Sequence, residues 1–70
     1  MNYLVIVEKG EHGYRAYVPD LYDCEALGNS EAEVLDLIRP SIALHLEMMR
    51  EQGLPIPQPT TLSAYVDVPV

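Results

Sequence analysis

Asp20, Asp23, Cys24 and Glu25 fall within six consecutive positions and bring three carboxylates and a thiol together. Three carboxylates so close in sequence could collect a cation, and the thiol could serve as a nucleophile. Both readings meet physical objections. Asp20 follows Pro19, and Pro-Asp is turn chemistry: proline pre-sets φ and aspartate bonds to nearby backbone. Asp23 and Glu25 flank Cys24, and negative neighbours disfavour the thiolate that a nucleophile needs. A small buried side chain is the better reading of Cys24. His12 sits in a polar, glycine-flanked stretch and reads as solvated. His45 lies between Ile42 and Met49 with no second catalytic group placed beside it, as general acid–base work requires. We expect no catalytic residue, no metal site and no cofactor.

The elements that must position these groups follow from periodicity. Tyr3–Val7 is continuously apolar and rich in β-branched residues, which predicts a strand covered on both faces. The stretch 8–13 predicts a hairpin loop. The alternation of 14–18 places Tyr14, Ala16 and Val18 on one face. Pro19-Asp20 ends that strand. Cys24–Leu27 predicts a third strand, stopped by Gly28. Ser30-Glu31-Ala32-Glu33 matches a capping box, in which the Ser30 hydroxyl accepts from the Glu33 amide and the Glu33 carboxylate reaches back to the Ser30 amide. Leu35, Ile38, Ile42, Leu46 and Met49 recur at helical spacing and predict the buried stripe, widened by Val34, Leu37 and Leu44. Gly53 is the natural stop. Pro40 interrupts the pattern, but the stripe continues past it in phase. One kinked helix is favoured, with a split at Arg39 the alternative. Pro55–Pro59 predicts an extended strap. Leu62–Val68 alternates and predicts a fourth strand.

The expected architecture is therefore α+β, ordered β-β-β-α-β: one mixed four-stranded sheet with one helix on one face and residues 1–70 forming a single domain. If the fourth strand lies beside the first, the two run parallel. The opposite sheet face stays uncovered. It would carry Tyr17 and Tyr65 with Arg15, Glu25, Leu27 and Ser63, either as an interface or as a half-wet surface with the tyrosine hydroxyls in water.

Composition narrows the function classes. A chain of 70 residues holds one small core and buries only about 60% of its unfolded surface. Oligomerisation is one usual remedy at this size, and a homodimer is expected. Eleven acidic side chains against four basic ones give a net charge of −7. Nucleic-acid binders carry the opposite footprint, with clustered Lys and Arg. Direct nucleic-acid binding is not expected, and an acidic surface instead suits a basic protein partner. No apolar run near the start approaches the length of a membrane span or a signal-peptide core. Cys24 stands alone, so no internal disulfide forms, in keeping with a reducing compartment. A cytoplasmic location is expected.

The run Gly13-Tyr14 through Val18-Pro19-Asp20-Leu21, followed by Cys24, Gly28, Ser30 and Glu33, resembles the HicB-like antitoxin family. Leu54-Pro55-Ile56-Pro57, just after Gly53, is also similar. The resemblance covers nearly the whole chain and rests on the combination at this spacing, since each piece alone is common. It implies a truncated ribonuclease-H-like fold without nuclease activity. It also implies a partner, a small basic HicA-type toxin that cleaves mRNA through a histidine and is neutralised when its active site is covered. Metal-dependent ribonuclease H chemistry needs converging carboxylates, and the middle of the first strand holds Val5 and Ile6 instead. The chain departs from the family at Tyr22-Asp23, where small residues are usual, and at Glu33-Val34, where Glu-Ala is usual. Many members carry a C-terminal DNA-binding segment, and this chain reaches only Val70, so it resembles a short form without DNA autorepression. The expected partner-binding residues are Tyr17, Asp20, Tyr22, Asp23, Glu25 and Tyr65. Two other readings fit the same sequence: a stand-alone dimeric scaffold or small-ligand module, and a degenerate ribonuclease-H-like nuclease.

Overall fold

A computed structural model describes residues 1–70. Three strands, β1 (Ile6–Gly10), β2 (Gly13–Tyr17) and β3 (Glu25–Gly28), form an antiparallel sheet in the order β1-β2-β3. A single helix, α1 (Glu31–Glu51), lies across one face, principally against β2 and β3. The α+β class and the meander are as the sequence predicts.

The first strand is displaced from its expected position. It begins at Ile6 rather than Tyr3 and runs to Gly10, so only Glu11 and His12 connect the hairpin. The cause lies in its neighbour. The ladder ends at Ile6↔Tyr17. One residue further on, Val18 turns away: its carbonyl accepts from the Leu21 amide at 3.1 Å, closing a β-turn around Pro19-Asp20. Tyr3–Val5 are left with no strand to pair with on that side. At the other end of the hairpin Gly13 adopts φ 145°, where a Cβ would lie 2.6 Å from the Gly28 carbonyl oxygen. No residue with a side chain fits there without moving β3.

Side-chain parity sorts the two sheet faces. Val7, Ala16 and Ala26 are cross-strand neighbours beneath the helix, whereas Glu8, Arg15 and Leu27 are neighbours on the open face, with Ile6, Tyr17 and Glu25 in the next row. The core is Ala16, Val18, Leu21, Cys24, Ala26, Val34 and Ile38, with Ile42 and Leu46 packed against it. Val34 rather than Leu35 leads the buried stripe; it is fully buried, and Leu35 sits at the rim, 36% exposed.

Helix α1 starts as its sequence implies, with the Ser30 hydroxyl accepting from the Glu33 amide at 3.1 Å. Only that half of the capping box forms, because the Glu33 carboxylate instead lies over Gly28. Pro40 stays inside one continuous helix. It faces solvent, so the Asp36 carbonyl that loses its partner can be hydrated, and the Ser41 hydroxyl donates to the Leu37 carbonyl at 3.2 Å beside it. At the C-terminus Gly53, at φ 71°, donates to Arg50 O and Leu54 donates to Met49 O, a Schellman termination.

The four-stranded sheet is not formed. The proline strap returns to the start of the chain, where the Tyr3 hydroxyl donates to the Pro57 carbonyl. Asp20 then holds the next residues: its carboxylate accepts from the Thr61 amide at 3.2 Å and the Thr61 hydroxyl at 2.6 Å. Beyond Thr61 the chain is extended but unpaired, and every residue from Leu62 to Val70 is exposed. Alternation marks a segment able to pair, but does not choose the edge it pairs with. The radius of gyration reflects this projecting arm: 14.0 Å, against about 11 Å for a compact chain of this length.

Candidate functional site

The open sheet face is organised around Arg15. Its Nε donates to Glu25 Oε2 at 2.7 Å and its Nη1 to Glu8 Oε1 at 3.0 Å, so one guanidinium spans all three strands. It also lies over the Tyr17 ring, 4.3 Å from the centroid. The Glu25 hydrogen bond is the main influence raising its pKa above the ordinary arginine value, partly opposed by desolvation. Arg15 is thus a permanent cation. These pairs are solvent-exposed, so each contributes little to stability. Their effect is geometric: they hold the outward carboxylates of Glu8 and Glu25 in fixed positions on either side of a cation–aromatic stack.

Two depressions meet at Arg15. One, of about 780 Å³, runs toward the hairpin and is lined by Glu8, Lys9, His12 and Leu27 among others. The other, of about 280 Å³, runs toward the turn and includes Tyr17, Asp23 and Glu25. A third hollow of about 280 Å³ lies at the far end of the helix, where Tyr22 meets His45, Met48, Met49 and Leu54.

The residues expected to bind a partner therefore divide into four groups. Tyr17, Glu25 and Asp23 come together on the open face, with Asp23 at φ 63° on its rim. Tyr22, 88% exposed, stands on the separate helix-end patch. Asp20, half-exposed, anchors the strap, and the Thr61 hydroxyl, followed by the two threonine amides, holds its pKa below the usual carboxylate range. Tyr65 is on the exposed arm, away from Tyr17, because the strand meant to carry it into the sheet is unpaired. The organiser, Arg15, was expected on this face but not among the partner-binding residues. Its signal was available in the alternation Tyr14-Arg15-Ala16-Tyr17, which places a cation beside Tyr17 on a face otherwise supplied with glutamates.

No three His, Cys, Asp or Glu side chains converge as metal ligands would. Cys24 is buried beneath the helix, and desolvation pushes its pKa up, away from the reactive thiolate.

The sequence profile of the HicB-like antitoxin of bacterial toxin-antitoxin systems matches residues 3–70. The chain belongs to the HicB-like antitoxin family. Its fold is similar to a chain from a HicA3 and HicB3 toxin-antitoxin complex, with a TM-score of 0.70 and 30% identity, covering 87% of this chain and 71% of the other. It is also 29% identical over 69 residues to a 14.9 kDa protein from the rep–hol intergenic region of Haemophilus phage HP1. That match takes in 99% of this chain but 52% of the phage protein, so the chain spans about half the length of its curated relative. The family is that of antitoxins of bacterial toxin-antitoxin systems. No helix is long and apolar enough to cross a membrane.

Proposed function

We propose that this HicB-like chain neutralises a small basic HicA-type toxin by binding it through the open sheet face and masking the site at which it cleaves mRNA. The observation that carries the reading is the fold likeness, at 30% identity over 87% of the chain, to a member of a toxin-antitoxin complex. The chemistry of the face supports it. Glu8 and Glu25 present fixed carboxylates, Tyr17 and Leu27 present apolar surface, and Asp23 extends the acidic rim. Acidic groups held in place steer a basic partner and set its orientation, while the aromatic and apolar centre supplies the desolvated contact. On this reading residues 1–70 act in the cytoplasm as one domain with a truncated ribonuclease-H-like fold, as a homodimer, without binding nucleic acid directly.

Co-expression with a HicA-type toxin encoded beside this gene provides the test. Growth should be rescued, and the two chains should co-purify. Tyr17→Ala combined with Glu25→Lys should weaken the complex at least tenfold and steepen growth inhibition. Glu47→Lys, on the exposed helix face, should leave both unchanged. Failure of the unaltered chain to bind or rescue would overturn the antitoxin reading. Full neutralisation by the double variant would overturn the open face as its contact.

A further inference from the structure

The exposed arm and a vacant seat occur in the same molecule. One edge of β1 pairs with β2, and the other pairs with nothing. Continuing from the start of that strand, between the residues that precede it and the helix, runs an apolar groove of about 290 Å³ lined by Tyr3, Val5, Leu35, Ile38 and Ile42 together with Met1 and Arg39. The groove is open because α1 rests principally on β2 and β3, leaving the β1 side of the helix uncovered. The arm has the matching pattern. Leu62, Ala64, Val66 and Val68 alternate with Ser63, Tyr65 and Asp67, and Leu62 is 90% and Val66 81% exposed. An unpaired strand edge and an exposed, alternating segment whose one charge, Asp67, lies on its polar side together make an association template.

We propose that two copies of this chain exchange these arms: Leu62–Val68 of each adds to the free β1 edge of the other, with Leu62, Ala64, Val66 and Val68 entering the groove. The occupant is a second copy because donor and acceptor are both open in one molecule, so a two-fold arrangement satisfies both at once. The root of the arm is already fixed. Asp20 holds Thr60 and Thr61 at the end of the sheet, and the nine residues beyond Thr61 reach roughly 30 Å when extended. That reach crosses to a neighbouring molecule without opening the core. Because side chains alternate across a strand, seating the apolar set in the groove turns Ser63, Tyr65 and Asp67 toward the open face. Tyr65 of one copy then joins Ile6 and Tyr17 of the other. The tyrosine that is isolated in the single chain becomes part of the recognition surface contributed by its partner.

The exchange is tested on the purified chain alone, so the outcome does not depend on any toxin. Light scattering at tens of micromolar should give twice the 7.8 kDa chain mass. Val66→Pro removes a ladder donor from a residue that touches nothing in the folded body, and should give a monomer with unchanged far-UV circular dichroism in the helix bands. With benzoyl-phenylalanine in place of Tyr65, irradiation of a mixture of isotopically light and heavy chains should yield covalent dimers containing mixed pairs, joined to the β1–β2 region. A monomer at that concentration with rapidly exchanging amides from Leu62 to Val68 would overturn the proposal. So would cross-links formed only within single chains, which would mean that the arm closes on its own sheet. A dimer that survives Val66→Pro would overturn it as well.

Discussion

Substituting Gly13 by alanine should be the most damaging single-methyl change at any glycine in this chain, because two independent costs coincide there. Its φ of 145° lies in a region that residues with a side chain rarely adopt, and such strain costs of order 1–3 kcal/mol. The added Cβ would also stand 2.6 Å from the Gly28 carbonyl oxygen, which is backbone at the last pair of the β2–β3 ladder and cannot rotate aside as a side chain would. Relieving that contact means separating the strands at Tyr14↔Gly28, with the loss of about one ladder hydrogen bond, near 1 kcal/mol. The sum is about 2–4 kcal/mol, a large part of what a small domain has. At about 4–8 °C per kcal/mol, the thermal midpoint should fall by at least ~8 °C. Two other glycines separate the causes. Gly53 has φ 71° with nothing within 4 Å of a built Cβ, so Gly53→Ala carries strain alone, about 1 kcal/mol. At Gly28 the Cβ would meet Glu33 Oε1 at 2.8 Å, the free end of a carboxylate that can swing into water, so Gly28→Ala should cost under ~1 kcal/mol. Thermal and urea unfolding followed by circular dichroism should rank the three Gly13, Gly53, Gly28 in falling order of cost. If Gly28→Ala proved as damaging as Gly13→Ala, or if Gly13→Ala were nearly neutral, the account of this hairpin would be wrong.

Three further outcomes follow from local geometry. Pro40→Ala should raise stability by roughly 1–2 kcal/mol: it restores a donor to the Asp36 carbonyl at an exposed position, though the greater freedom of the unfolded chain removes part of the gain; a lower melting temperature would contradict this. Because the threonines depress the Asp20 pKa, its contribution is complete above the ordinary carboxylate value and is lost as pH falls through the lower folded value. The Thr61 amide should therefore shift and exchange faster only at that low pH, and a Thr61 resonance that moves between pH 5 and 7 instead would refute the anchor. Cys24, buried with a raised pKa, should react with a thiol reagent only as fast as the protein opens, and immediate full labelling of the native chain would refute its burial.

The parts of the fold that depend on neighbouring residues were legible in the sequence. Ser30 capping the helix, Gly53 ending it and Pro19-Asp20 turning the chain all rest on local steric or hydrogen-bonding rules. What was not legible depends on partners. Tyr3–Val7 has the composition of a buried strand, but Tyr3–Val5 could pair only if β2 continued past Val18, and the turn prevents it. Leu62–Val68 has strand alternation but no edge within this chain to which the geometry brings it. The candidate site divides in the same way. Tyr17 and Glu25 share a face because strand parity requires it, whereas Tyr22 and Asp20 were grouped with them only by proximity in sequence. The turn at Val18–Leu21 sends those two in different directions, one to the helix end and one to the strap.

These departures share a thermodynamic origin. Only seven of 70 residues are buried, and a chain of this size is close to the limit at which one core suffices. Leu62, Val66 and the groove residue Leu35 remain in water in the single molecule although their patterning suits an interior. On the arm-exchange proposal association supplies their burial, and association of folded chains stabilises the folded form. If arm exchange supplies that burial, the melting temperature should rise with protein concentration, and Val66→Pro should both lower it and remove the dependence. The toxin would act through the same linkage at a different surface, since the open face lies across the sheet from the groove. Its effect should persist in the Val66→Pro chain, reduced by whatever Tyr65 of the second copy contributes. A melting temperature independent of concentration over two decades, in a chain that still binds toxin, would mean that the seven-residue core is sufficient alone and that the arm serves some other contact.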